Sequence, residues 1–100
     1  MSLKTREMVF VALADPSRRL LLDRLRQRNG QTLSQLSESQ SISRQAVTKH
    51  LTILEQADLV TSQKRGRERV HFLNPVPIHA VAMRWLKLFD ELPLDILAKD

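Results

Sequence analysis

Ser43-Arg44-Gln45-Ala46-Val47-Thr48-Lys49-His50-Leu51-Thr52-Ile53-Leu54-Glu55-Gln56-Ala57 is the stretch on which the fold turns. Ser43 suits an N-cap, because its hydroxyl can accept from backbone N–H groups that the first helical turn leaves unpaired. On a helical wheel Ala46, Val47, Leu51, Ile53, Leu54 and Ala57 share a broad inward sector, and Arg44, Gln45, Thr48, Lys49 and Thr52 lie opposite. That outward face is polar, basic near its start and free of large apolar residues. His50 projects toward the inward sector, which predicts a buried hydrogen-bonding residue rather than a metal ligand.

Upstream, Gln40-Ser41-Ile42 forms a tight turn. Before it a short helix, capped by Thr32 or Ser34, ends near Ser39 with Leu33 and Leu36 facing inward. Two further helices fill the first 30 residues. Asp15-Pro16 divides them, since Pro disfavours helical backbone at the residue before it and suits the first position of a new helix. Asp15 is then the expected N-cap, with its carboxylate at the positive end of the helix dipole. Leu21, Leu22 and Leu25 face inward, Arg24, Arg26 and Arg28 reach solvent, and Asn29-Gly30 closes the helix. Arg18 and Arg19 stand at a helix start, where positive charge needs a partner. An acidic neighbour and a phosphate group are the two alternatives.

Downstream the period changes. Leu59 to Gln63 and Glu68 to Leu73 are strand-like around Lys64-Arg65-Gly66-Arg67, a hairpin signal. Alternation predicts Val70 and Phe72 packed, with Arg69 and His71 in water. From Ile78 a long amphipathic helix carries Val81, Trp85, Leu88, Phe89 and Leu92. Its apolar face, added to Met8, Val9 and Val11, exceeds what one 100-residue core consumes. A symmetric dimer interface through Met8, Val9, Val11, Val81, Trp85, Leu88, Phe89 and Leu92 is therefore expected.

Composition narrows the function. The 100-residue chain has room for one domain. Sixteen Lys+Arg against eleven Asp+Glu leave a net charge of +5, which favours an acidic partner. No Cys is present, which removes disulfides, thiolate metal sites and cysteine nucleophiles. Three scattered His do not make a zinc site, so no metal and no cofactor is expected. With two Gly, no phosphate loop and no nucleophile elbow, an enzyme is not expected either. No signal peptide or membrane span is apparent, and a cytoplasmic location is the expectation.

Two helices joined by a tight turn, the second with a basic polar face and followed by a basic hairpin, form a winged helix-turn-helix. The expected fold is mainly α with a small β-hairpin wing, one domain over 1–100, assembled as a homodimer. The helix-turn-helix falls at about 33–57, the wing at about 59–73 and the dimerisation helices at about 4–14 and 78–92. Duplex DNA is the expected partner, met by Ser43, Arg44, Gln45, Thr48 and Lys49 of the second helix. The wing adds Lys64, Arg65, Arg67 and Arg69 as phosphate contacts.

Ala12-Leu13-Ala14-Asp15-Pro16-Ser17-Arg18 resembles the opening signature of ArsR-type winged-helix repressors. Ser43 to Leu51, continuing through Leu54-Glu55-Gln56-Ala57-Asp58-Leu59-Val60, resembles their recognition helix and its exit. Arg65-Gly66-Arg67-Glu68-Arg69-Val70-His71 resembles the wing. The likeness runs from about Val9 to Leu92 and implies a dimeric bacterial or archaeal repressor on a near-palindromic operator. Dimerisation in such proteins uses the first and last helices. Metal-sensing members carry Cys-x-Cys where this chain has Thr32-Leu33-Ser34-Gln35-Leu36-Ser37, and a second site needs a His beyond His79 that the chain lacks. The resemblance therefore points to a metal-independent subgroup, often encoded beside small START-like ligand-binding proteins. A winged-helix protein-interaction module and a sensor gated by an organic ligand or a metal at a non-Cys site stand as alternatives, and an unknown small-molecule effector stays open.

Overall fold

The computed structural model describes residues 2–90. Eight elements follow in order: α1 Leu3–Leu13, α2 Pro16–Gln27, β1 Gln31–Thr32, α3 Leu33–Glu38, α4 Arg44–Gln56, β2 Val60–Arg65, β3 Glu68–Leu73 and α5 Val76–Phe89. The strands form one antiparallel sheet in the order β1-β3-β2. The third strand, β1, is absent from the sequence expectation of a plain hairpin. At two residues it is too short to show any period, and only its pairing with Val70 and His71 defines it.

Local chemistry sets the helix ends. The Asp15 carboxylate accepts from Ser17 N (2.7 Å) and Arg18 N (3.3 Å), with Pro16 in the first turn. Burial acts to raise the Asp15 pKa. The two backbone donors, helped by nearby His50 and Arg18, outweigh it, and the carboxyl titrates below its ordinary value. Thr32, not Ser34, caps α3 and completes a capping box with Gln35. Ser43 caps α4 through Ala46 N at 3.1 Å. Helix α5 begins two residues before Ile78, because Pro77 is tolerated in a first turn that needs no donor from it.

The core joins α1, α2, α3 and α4 to the base of the sheet. Leu21, Leu25, Leu36, Val47, Leu54 and Leu59 are fully enclosed, together with Val9. Val9 was expected at a dimer interface, and so was Val81. The structure places both mainly inside the fold: Val9 is fully enclosed, and Val81, at 7% exposure, belongs to the core and shows only an edge in the gap between α1 and α5.

Two polar residues lock this core. Arg18, at the start of α2, donates through Nε to Ala12 O (2.8 Å) and through Nη2 to Val11 O (2.9 Å). Its Nη1 donates to His50 Nδ1 at 3.1 Å, so one guanidinium ties α1 and α2 to α4. Its partner is thus neither an acidic residue nor a phosphate but the carbonyl end of α1, where the helix dipole is negative. Arg19 does the same at Leu13 O (2.6 Å).

His71 overturns the alternation expected for β3. It is buried at 6% exposure, and its Nδ1 pairs with Gln31 O at 3.1 Å. The Gln31 amide in turn donates to Arg24 O (3.0 Å) and Arg28 O (2.6 Å), closing the end of α2. Because β1 supplies the partner, the polar ring can lie inside while Val70 and Phe72 stay half-buried on the outer face. There Phe72 lies against Gly30, whose φ of +80 admits a glycine readily.

Candidate nucleic-acid interface

Helix α4 presents Arg44, Gln45, Thr48, Lys49 and Thr52 to solvent, and Ser43 stands exposed at its head. No acidic side chain interrupts that run from Ser43 to Thr52. Thr48 Oγ1 donates to Arg44 O at 2.9 Å, so its hydroxyl offers outward lone pairs, an acceptor suited to a base amino group. Gln45 projects with both amide functions free among the described residues and can serve adenine as donor and acceptor. Arg44 is held: its Nη2 donates to Ser34 Oγ at 3.0 Å, which aims it along the seam between α4 and α3.

The wing adjoins this face. A cleft of about 280 Å³ is bounded by Thr32 of β1, Ser34 of α3, Arg44 of α4, and Arg67, Glu68 and Arg69 of the hairpin, three cations to one acid. A second of similar size lies between Thr48, Thr52 and Glu55 of α4 and Arg69 and His71 of β3. The register explains which wing cations belong here. Ser62 pairs with His71 and Lys64 with Arg69, so Lys64 and Arg69 extend the face that carries buried His71. Arg65 pairs with Glu68 on the opposite face, with its guanidinium 5.3 Å from the Phe72 ring centre. The four wing cations named from the sequence therefore split. Lys64 and Arg69, with Arg67 at the turn, lie toward α4, and Arg65 is turned to the outer face.

Arg69 is steadied by Ser62 Oγ at 2.9 Å. Among the described residues the one ion pair is Arg26 with Asp23, so none of these cations is neutralised by an acid. Lys64 and Arg69 sit directly across the hairpin, a like-charge pair that disfavours the strand pairing unless an anion lies beside it. Thr32 and Ser34 line the same cleft and were read from the sequence only as caps. Their signal was the hydroxyl pair at the start of α3, but its nearness to Arg44 needs the turn geometry.

Of the apolar residues expected at a dimer contact, Val11, Trp85, Leu88 and Phe89 are exposed, and Met8 is half-buried against the core. Phe10 and Trp85 meet edge to face at 6.0 Å, and Trp85 and Phe89 stack at 5.2 Å. Leu92 lies outside the described residues. No described helix is long and apolar enough to cross a membrane.

Comparison with known proteins agrees with this geometry. A helix-turn-helix domain family matches residues 13–63. The chain is 41% identical over 88 residues to the uncharacterised HTH-type transcriptional regulator YuzN of Bacillus subtilis, covering 82% of this chain and 96% of that protein. It is 31% identical over 81 residues to the transcriptional repressor SdpR of the same organism, covering 81% and 88%. An ArsR-like transcriptional regulator from Rhodococcus superposes with a TM-score of 0.74 at 34% identity, over 87% of this chain and 80% of that one. These relatives are regulators rather than enzymes, as the sequence led one to expect. The winged helix-turn-helix, the sequence identities and the fold together place the chain in the ArsR-type family of helix-turn-helix transcriptional regulators.

Proposed function

We propose that this regulator is a homodimeric repressor that recognises a near-palindromic duplex and responds without a thiolate metal sensor. Regulators of this type bind double-stranded DNA. The observation that carries the finer reading is the continuous surface from the acid-free face of α4 to the Arg44, Arg67 and Arg69 cleft. Gln45 and Thr48 supply base-directed groups. Arg44, Lys49, Lys64, Arg67 and Arg69 supply phosphate contacts, with Ser43 at the head of α4 beside them. Arg65 contributes charge at longer range.

The dimer is supported by α5, where Pro77 and Val81 are its buried residues while Trp85, Leu86, Leu88 and Phe89 are 44–60% exposed. An exposed apolar strip of this kind marks a contact surface. A two-fold axis through it would present two α4 helices to successive major grooves. Repression is supported by the likeness to SdpR, which is named a repressor. Metal independence is supported by the hydroxyl and amide side chains that stand at 32–37 in place of thiolates.

Fluorescence anisotropy against DNA from upstream of its own gene, with a shuffled duplex as control and at several salt concentrations, tests this reading. The expected result is a preference of about a thousandfold or more for the native duplex. Equal, steeply salt-dependent binding to both would leave only a basic surface and overturn sequence-specific recognition.

A further inference from the structure

Between α1 and α5 lies a cleft of about 200 Å³ that the DNA-facing surface does not use. Leu3, Phe10, Val81 and Trp85 form its apolar walls, and Arg6, Glu7 and Arg84 bring charge to it. The Nε of Arg6 is buried and has no hydrogen-bond partner. Native proteins leave few buried donors unpaired, and each asks for an explanation. None of these three charged side chains is ion-paired among the described residues.

The chemistry of an occupant follows from these groups. A planar guanidinium matches a carboxylate, which can accept two parallel N–H bonds. Two Arg and one Glu leave the cleft with a net charge of +1, which matches one negative charge rather than two. The Phe10 and Trp85 rings, packed edge to face at 6.0 Å, give the cleft an aromatic wall against which a further ring can stack. An apolar cavity of about 150 Å³ holds benzene, so 200 Å³ admits a single ring with a carboxylate attached.

We infer that the α1–α5 cleft is an effector site for a small aromatic monocarboxylate. The ring packs against Phe10 and Trp85, and the carboxylate meets the guanidinium side chains of Arg6 and Arg84, which both line the cleft. Phe10 and Trp85 also border the face proposed for dimerisation, so occupancy and assembly are linked reciprocally. That linkage rests on the dimer reading, whereas binding itself does not.

Trp85 is the single Trp of the chain, so intrinsic fluorescence reports on this cleft and on the α5 face beside it, and titrations are run at two protein concentrations to separate binding from assembly. The full chain is titrated with benzoate and with benzamide, a neutral probe of the same shape. Benzoate is expected to change Trp85 emission saturably and to bind at least about tenfold more tightly than benzamide. Arg6→Gln should weaken benzoate by at least about tenfold, with circular dichroism confirming its fold. Arg84→Gln, on an exposed side chain, provides a second variant with an expected loss of about threefold. No saturable response to benzoate, equal affinity for benzamide, or unweakened binding by both variants would overturn the site. Sedimentation of the unliganded chain separates the two readings. A monomer that binds benzoate removes the dimer and keeps the site; a dimer blind to benzoate does the reverse.

Discussion

Replacing Arg18 with Met keeps the apolar stem and removes every donor at the junction of α1, α2 and α4. Three hydrogen bonds vanish: those to Ala12 O, Val11 O and His50 Nδ1. The carbonyls left behind close α1, and the side chain sits at 9% exposure, where water replaces lost partners poorly. Bonds from charged donors contribute about 1.5–3 kcal/mol each, and each buried carbonyl left without a donor costs about 1–3 kcal/mol, part of it recovered where water can enter. A loss of about 3–5 kcal/mol is therefore expected for Arg18→Met, a large share of the 5–15 kcal/mol typical of a whole domain. Urea unfolding should show the midpoint falling with little change in slope. A double-mutant cycle with His50→Ala should return a coupling of about 0.5 kcal/mol or more, since the two side chains touch. DNA binding adds a second check. If Arg18 acts inside the fold, the salt dependence of binding by folded Arg18→Met matches the parent, whereas a phosphate contact would lower its slope by about one. A stability loss under about 1 kcal/mol, or that change in slope, would refute the structural role.

Four other outcomes follow. The lowered pKa of Asp15 means that its contribution to stability is present above the ordinary carboxylate value and is lost as pH falls through the folded value; urea midpoints measured from about pH 5 downward should fall less steeply for Asp15→Asn. Gly30→Ala places a Cβ 3.0 Å from the Phe72 ring at φ +80, and Gly66→Ala meets open space at φ +64. Thermal melts should show losses of about 2 and 1 kcal/mol respectively, and equal losses would deny the Phe72 contact its role. Gln45→Ala should change base preference, while Arg67→Ala should weaken all duplexes alike and flatten the salt slope; a uniform loss for Gln45→Ala would count against direct base contact. Trp85→Asp should sediment as a monomer with weak operator binding, and a dimer that binds normally would remove the α5 interface.

Helix α4 was legible because cap, period and charge all agree between Ser43 and Ala57. Asp15 was equally plain, since a carboxylate before Pro has one obvious use. What the sequence hid were partners supplied by backbone. The acceptors of Arg18 are carbonyls of a preceding helix, and carbonyls carry no residue signature. His71 misled for the same reason: alternation with Val70 and Phe72 placed it in water, while the two-residue strand that accepts it has no period to detect. Trp85 and Phe89 were recognisable as surplus apolar surface, but Val9 and Val81 were not separable from them. Only packing shows which face of α1 and α5 the single chain itself consumes.

The Lys64 and Arg69 pairing carries a last implication. Cross-strand like charges weaken a hairpin by about 0.2–1 kcal/mol, so Lys64→Glu would give a firmer wing by exchanging repulsion for attraction. The same exchange would turn the edge of the hairpin against a polyanion. At these two positions the free protein is not at its stability optimum, and a search that ranked variants by melting temperature alone would select against the charge on which the proposed DNA contact depends.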